Sequence, residues 1–287
     1  MCEPKQRSTM ITLKRSTALA ALAAVGLLSS VAARADHRWP LDQTVNVSAG
    51  LFAFGTDTRI RLDGQNREIG TEVDFDDTFG FDDQNRLRID GFWRFAERHK
   101  VRFMYFGSRS ESTRTTTEEI EYGGVTYPVN ASVTAEVDTD IIELAYEYAF
   151  MRRDTFELAG TIGLHNLQLK SRLSTNVSTT IGSGGSERSA EAKVDGPFPV
   201  IGIRGLWSFS ENFYLDFQAQ FFGLEFEEYD GNLQDYKVSF IWQPSKYVGI
   251  GLGYNEFVTK VDVDAERFLG ELRFGYGGPL IFLSVGF

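Results

Sequence analysis

Two places in the 287-residue sequence concentrate groups that could do chemistry. In GTEVDFDDTFGFDDQN, Glu72 is followed by Asp74, Asp76, Asp77, Asp82 and Asp83. Clustered carboxylates are what a hard cation such as calcium takes as ligands. The stretch lacks, in register, the glycine and closing glutamate of an EF-hand loop. A solvated acidic loop is therefore the first expectation, with a cation on the five aspartates as the alternative. The alternation from Val73 to Phe81 also fits a segment folded back over whatever lies beneath it.

The second place is His165, in TIGLHNLQL. A hydrolase needs a base beside a nucleophile or an activated water. The chain has 3 histidines, and His37 and His99 fall near the start of the processed chain and in a short turn. His165 is the remaining candidate base, and no motif ties a nucleophile to it. A hydrogen-bonded structural histidine is the expected reading. The GSGG at residues 182–185 has no Lys-Ser/Thr after it, so it does not read as a phosphate loop. No catalytic set and no cofactor is expected.

The elements that must position these residues come from composition and rhythm. Glycine (28) and phenylalanine (24) are frequent and proline (7) is scarce, which suits long strands joined by tight turns. Near the N-terminus, Lys14 and Arg15 precede an apolar run from Thr17 to Leu28, and Ala33-Arg34-Ala35 has the form of a cleavage site. Residues 1–35 are expected to be a cleavable signal with an N-terminal extension, translation starting at Met1 or at Met10, and 36–287 a single domain beginning at Asp36. Cys2, the one cysteine, would leave with the signal, so no disulfide is expected. The processed chain would carry 24 basic and 39 acidic residues, a net charge of −15. Such a chain repels phosphate backbones, and nucleic acid is excluded as a partner.

Along that domain the hydrophobic period is two. Val45, Val47, Leu51 and Ala53 share one face, as do Leu87, Ile89, Trp93 and Phe95, then Ile142, Leu144, Tyr146, Tyr148 and Phe150, and Phe213, Leu215, Phe217 and Phe221. Each is a strand of about nine to eleven residues with one apolar and one polar face, the length that crosses a bilayer at a tilt. Alternation alone does not separate a soluble sandwich from a membrane barrel; the connections do. Short turns near residues 97–100, 152–154, 210–212 and 244–246 alternate with links that are mostly longer and polar. Trp93, Trp207 and Trp242 each sit just before a short turn and Trp39 before the first strand, which gathers the tryptophans at one water–lipid boundary.

With these features the chain resembles the small bacterial outer-membrane β-barrels, loosely the OmpA-like and OmpW-like ones. The resemblance implies an all-β, transmembrane, antiparallel up-and-down barrel in the outer membrane of a Gram-negative bacterium, with lipid and lipopolysaccharide as its surroundings. It also implies recognition by the barrel assembly machinery through a last strand carrying Ile281, Leu283, Val285 and Phe287. About ten strands are expected, with eight or twelve as alternatives, and an even count returns both ends to the periplasm. In the last strand Leu272, Phe274 and Tyr276 lie on even positions and Ile281 to Phe287 on odd ones. A β-bulge at Gly277-Gly278-Pro279 is the preferred explanation, and a turn is the other.

If the apolar faces meet lipid, the polar ones fill the lumen. There Arg88, Arg94, Arg102, Arg204, Lys237 and Arg273 balance Asp90, Glu143, Glu147, Glu157, Asp216 and Glu271. Mixed signs favour a stabilising network over an ion-selective constriction. The expected function is a structural or surface protein, or a narrow passive conduit for small solutes. A lipid-modifying hydrolase or protease using His165 is the alternative.

Overall fold

Residues that alternate between lipid and interior can satisfy every backbone group only by pairing into a closed sheet, since hydrocarbon offers no hydrogen bonds. The computed structural model has that closure. It describes residues 39–64, 69–81, 84–177, 186–226, 229–265 and 268–287; the expected signal, its cleavage point at Ala35 and Asp36, the glycines of 182–185, and Asp82 and Asp83 lie outside these.

A one-turn helix, α1 (Trp39–Asp42), precedes β1 (Val45–Leu62), the short β2 (Glu72–Asp74) and the helix α2 (Phe75–Phe79). Then come β3 (Gln84–Ala96), β4 (His99–Thr115), the hairpin β5 (Ile120–Tyr122) and β6 (Val125–Tyr127), β7 (Ser132–Arg152), β8 (Phe156–Val177), β9 (Ser186–Ser210), β10 (Phe213–Phe226), β11 (Tyr229–Trp242), β12 (Val248–Ala265) and β13 (Phe268–Gly286). Ten long antiparallel strands follow one another around the barrel, and β13 pairs with β1 to close it. β2 adds a short eleventh strand alongside β1, and β5–β6 forms a separate hairpin.

The outward face is the apolar one. Leu51, Leu87, Leu144, Ile162, Ile201, Leu252 and Leu283 are all exposed. Where the strands meet the short turns, Trp93, Trp242, Tyr247 and Phe287 are exposed among packed rings such as Trp93–Phe95 and Tyr247–Phe287. Farther along the strands Tyr105, Phe221, Tyr236 and Tyr254 form the opposite aromatic border of the belt.

Two expectations change. The long links are partly wall: β7, β8 and β9 run 21, 22 and 25 residues. Above the membrane the outward face is polar as well, so the alternation that marks a membrane strand fades. At about 3.3 Å per residue and a tilt of roughly 40°, such strands climb about 55 Å against an apolar band of about 25 Å.

Gly277-Gly278-Pro279 is neither a bulge nor a turn. β13 keeps one register with β1 from Leu62↔Gly270 to Asn46↔Gly286, and one with β12 from Ala265↔Phe268 through Tyr254↔Pro279 to Val248↔Val285. The faces never switch. Leu272, Phe274 and Tyr276 point inward with Leu280 and Phe282, because the outer part of the interior is itself apolar. There Phe52, Phe54, Phe106, Phe257, Phe274 and Tyr276 pack ring against ring.

The segment after β1 folds back over this core, as its alternation suggested, and does so as a helix. Phe75 and Phe79 are fully buried, Asp74 caps the helix by accepting from the Asp77 amide, and Gly80 ends it in the left-handed region. Tyr122 and Tyr127 of the hairpin are buried too; their hydroxyls meet Ser171 Oγ (2.5 Å) and donate to the Leu173 carbonyl (2.8 Å).

Candidate functional site

Inward-facing positions at the short-turn half of the barrel are polar, and they form one connected charge layer. β3 supplies Arg88, Asp90 and Arg94, β4 Lys100 and Arg102, β7 Glu143 and Glu147, β8 Glu157 and His165, β9 Arg204, β10 Asp216, Gln218 and Gln220, and β11 Asp235 and Lys237; all are buried. Charges placed so deep persist only when paired and hydrogen-bonded.

The pairing runs across the lumen as well as along the wall. Asp90 accepts from Arg88 (3.0 Å) and from Lys237 (2.7 Å). Glu157 takes Arg94 at 2.8 Å and Lys100, and Glu147 takes Arg102 at 3.3 Å and Arg204 at 3.8 Å. Arg204 also meets Asp216 and donates to Gln218 Oε1 (2.9 Å). Phe92 lies under Lys100 and Arg102, 5.0 and 5.7 Å from its ring centroid.

Below the layer, Arg94 donates to the carbonyls of Leu41 (3.0 Å) and Gln43 (3.2 Å), and Arg152 donates to Leu41 (3.0 Å), so α1 is tied across the short-turn mouth. A cavity of about 60 Å³ remains among Gln43, Ser48, Asp90, Lys100, Arg204 and Lys237.

Ten of the twelve charges expected in the lumen are there. Glu271 and Arg273 are not: with no change of face in β13 they point outward, beyond the apolar belt. Glu271 pairs with Lys260 (2.9 Å) and Arg61 (3.6 Å), and Arg273 with Asp57 (3.4 Å). Lys100 and Asp235 belong to the layer and were not anticipated, although each shares the parity of a residue that was, Arg102 and Lys237.

The acidic stretch is engaged locally. Asp74 pairs with Arg59 (3.0 Å), and Asp76 accepts from the Thr58 amide (2.6 Å) and the Thr56 hydroxyl, pinning α2 to β1. Burial raises the Asp76 carboxyl above the usual carboxylate range, while those two hydrogen bonds pull the other way. Asp77 borders an outer recess lined by Thr71, Glu72, Arg114 and Glu118.

His165 is fully buried. Its Nε2 lies 2.8 Å from Gln220 Oε1, and Gln220 donates to Glu143 Oε1 at 2.8 Å. It therefore faces the lumen centre, away from lipid.

Fold, belt and charge layer together define an outer-membrane β-barrel protein. No protein-family model matches the chain, and no curated protein matches it in sequence. Among solved structures, the outer-membrane protease OmpT of Escherichia coli is similar over 86% of this chain and 97% of its own, with a TM-score of 0.58 and 11% identity. The outer-membrane protein AlkL aligns over 85% of this chain and 91% of its own (TM-score 0.37, 10% identity), and Ail of Yersinia pestis over 85% and 97% (TM-score 0.33, 9% identity). At such identity the likeness to OmpT is one of fold.

Proposed function

We propose that this protein is a closed, non-enzymatic barrel that serves as a structural and surface-presenting element of the outer membrane. One observation carries the reading: among the described residues, buried side chains fill both the polar half and the aromatic half of the interior. The ion-paired layer, the aromatic cluster, and the two capping segments succeed each other along the axis. A conduit needs a continuous wet path, and a cavity of about 60 Å³ has room for only a few waters.

The long upper strands support the surface role. They carry outward charges in paired rows, such as Arg59 with Asp57 and Lys260 with Asp262, above the lipid belt. Such rows suit contact with lipopolysaccharide headgroups and their divalent ions. On the last strand, the outward set Ile281, Leu283, Val285 and Phe287 suits recognition during assembly. The burial of His165 favours the non-enzymatic reading over a lipid-acting hydrolase.

The test is conductance in planar lipid bilayers. Purified barrel is expected to give no stepwise current; discrete steps from the folded, heat-modifiable species would overturn the closed-barrel reading.

A further inference from the structure

Four of the six buried carboxylates in the lumen layer, Asp90, Glu147, Glu157 and Asp216, have a lysine or arginine nitrogen within 4.0 Å. Glu143 and Asp235 do not, among the described residues, and both lie beside His165. One donor atom from each of the three lies within 4.8 Å of the others, all three residues being buried.

The imidazole is set up to act as a ligand. Gln220 donates its amide N–H to Glu143, so its oxygen accepts from His165 Nε2. Nε2 also lies 3.8 Å from Glu143 Oε2, and Nδ1 is buried without a hydrogen-bond partner. The carboxylates are held from behind: Asn255 donates to Asp235 Oδ1 at 2.6 Å and Gln218 to Oδ2 at 3.2 Å. An outer shell of amides that orients carboxylates and fixes a tautomer is what metal sites have.

We infer that Glu143, His165 and Asp235 form a site for a divalent transition metal of the Zn²⁺ class at the centre of the lumen, three protein ligands that leave a fourth position to water. Two carboxylate oxygens and one imidazole nitrogen, with no thiolate, make a borderline donor set that suits Zn²⁺ better than the soft copper(I) or the all-oxygen calcium. Bonds of about 2.0–2.2 Å need donors roughly 3.3 Å apart, so the ion draws the three side chains inward by about an ångström. The ion compensates two carboxylates that have no lysine or arginine nitrogen within 4.0 Å among the described residues, and it links β7, β8 and β11, which are not all neighbours. On the closed-barrel reading proposed above, on which this step rests, the metal enters as the barrel forms.

The full chain is refolded into detergent with Zn²⁺ or with chelator, washed with chelator to strip surface-bound ions, and assayed for metal. About one Zn²⁺ per folded barrel is expected, falling about tenfold or more in the isosteric double variant Glu143→Gln/Asp235→Asn. Folded wild type that retains no metal, or a double variant that retains as much as wild type, overturns the site. Should the variant not fold, wild type refolded with Co²⁺ decides: visible ligand-field absorption that Zn²⁺ abolishes supports the site, and its absence in folded protein rejects it.

Discussion

Lys237 Nζ on β11 and Asp90 Oδ1 on β3 are 2.7 Å apart, a contact made across the lumen between strands that are not neighbours in the wall. The pair clamps the barrel's two halves through its interior. It also sets an order of effects. Asp90 serves two cations, Arg88 and Lys237, whereas Lys237 removed alone still leaves Asp90 with Arg88. Asp90→Ala should therefore cost roughly 3–5 kcal/mol, and Lys237→Met clearly less, as read by urea unfolding in lipid vesicles. Equal losses would mean that the Arg88–Asp90 pair adds nothing beyond the trans-lumen one.

The outer cap is held by two phenylalanines. Phe75→Ala or Phe79→Ala removes a fully buried ring at a cost of about 3–5 kcal/mol if the site cannot collapse. The loss falls on a segment that can open without the barrel unfolding. Residues 69–81 should resist added protease in intact cells and become cleavable in either variant, while heat-modifiability is kept.

The same cap should respond to pH. The Asp76 carboxyl lies above its ordinary range in the folded state, so between the unfolded and folded values the folded state binds more protons. Its contribution to stability is thus fully present below the unfolded carboxylate value and declines as pH rises through the folded one. Protease resistance of the cap should be greater near pH ~4 than at pH ~7, and Asp76→Asn should remove that part of the difference.

Two adjacent glycines in β13 should behave differently. A Cβ on Gly278 would fall 1.9 Å from the Ala53 carbonyl oxygen, so Gly278→Ala must push β1 away at the closing seam. A Cβ on Gly277 meets nothing nearer than the Tyr254 hydroxyl at 3.4 Å. Gly278→Ala is expected to lower the yield of heat-modifiable barrel severalfold and Gly277→Ala to leave it nearly unchanged; the two are compared side by side by band shift on unheated gels.

At that seam Val45 and Phe287 exchange backbone hydrogen bonds of 3.1 and 2.9 Å, and the Phe287 ring faces outward against Tyr247. Phe287→Gln keeps the backbone pairing and removes the apolar ring. It should slow insertion by the cellular machinery more than it lowers the stability of barrel already formed, measured by pulse labelling against urea unfolding.

Sequence by itself determined that the chain crosses the membrane as about ten strands, with eight or twelve left open, and which end carries the short turns, because lipid demands an apolar residue at every second position and tryptophans at the boundary. Parity also placed Arg88, Asp90, Glu147 and Arg204 on the inward face. What parity cannot say is which face looks inward where both are apolar, so Leu272, Phe274 and Tyr276 looked like a change of face until the unbroken β13 register placed them in the core. Nor does it carry the hairpin at residues 120–127, which is too short for a period to register. The meeting of Glu143, His165 and Asp235 was decided by tertiary structure alone. They sit on three strands far apart in sequence, and only the curvature of a closed barrel brings inward side chains from non-adjacent strands to one point.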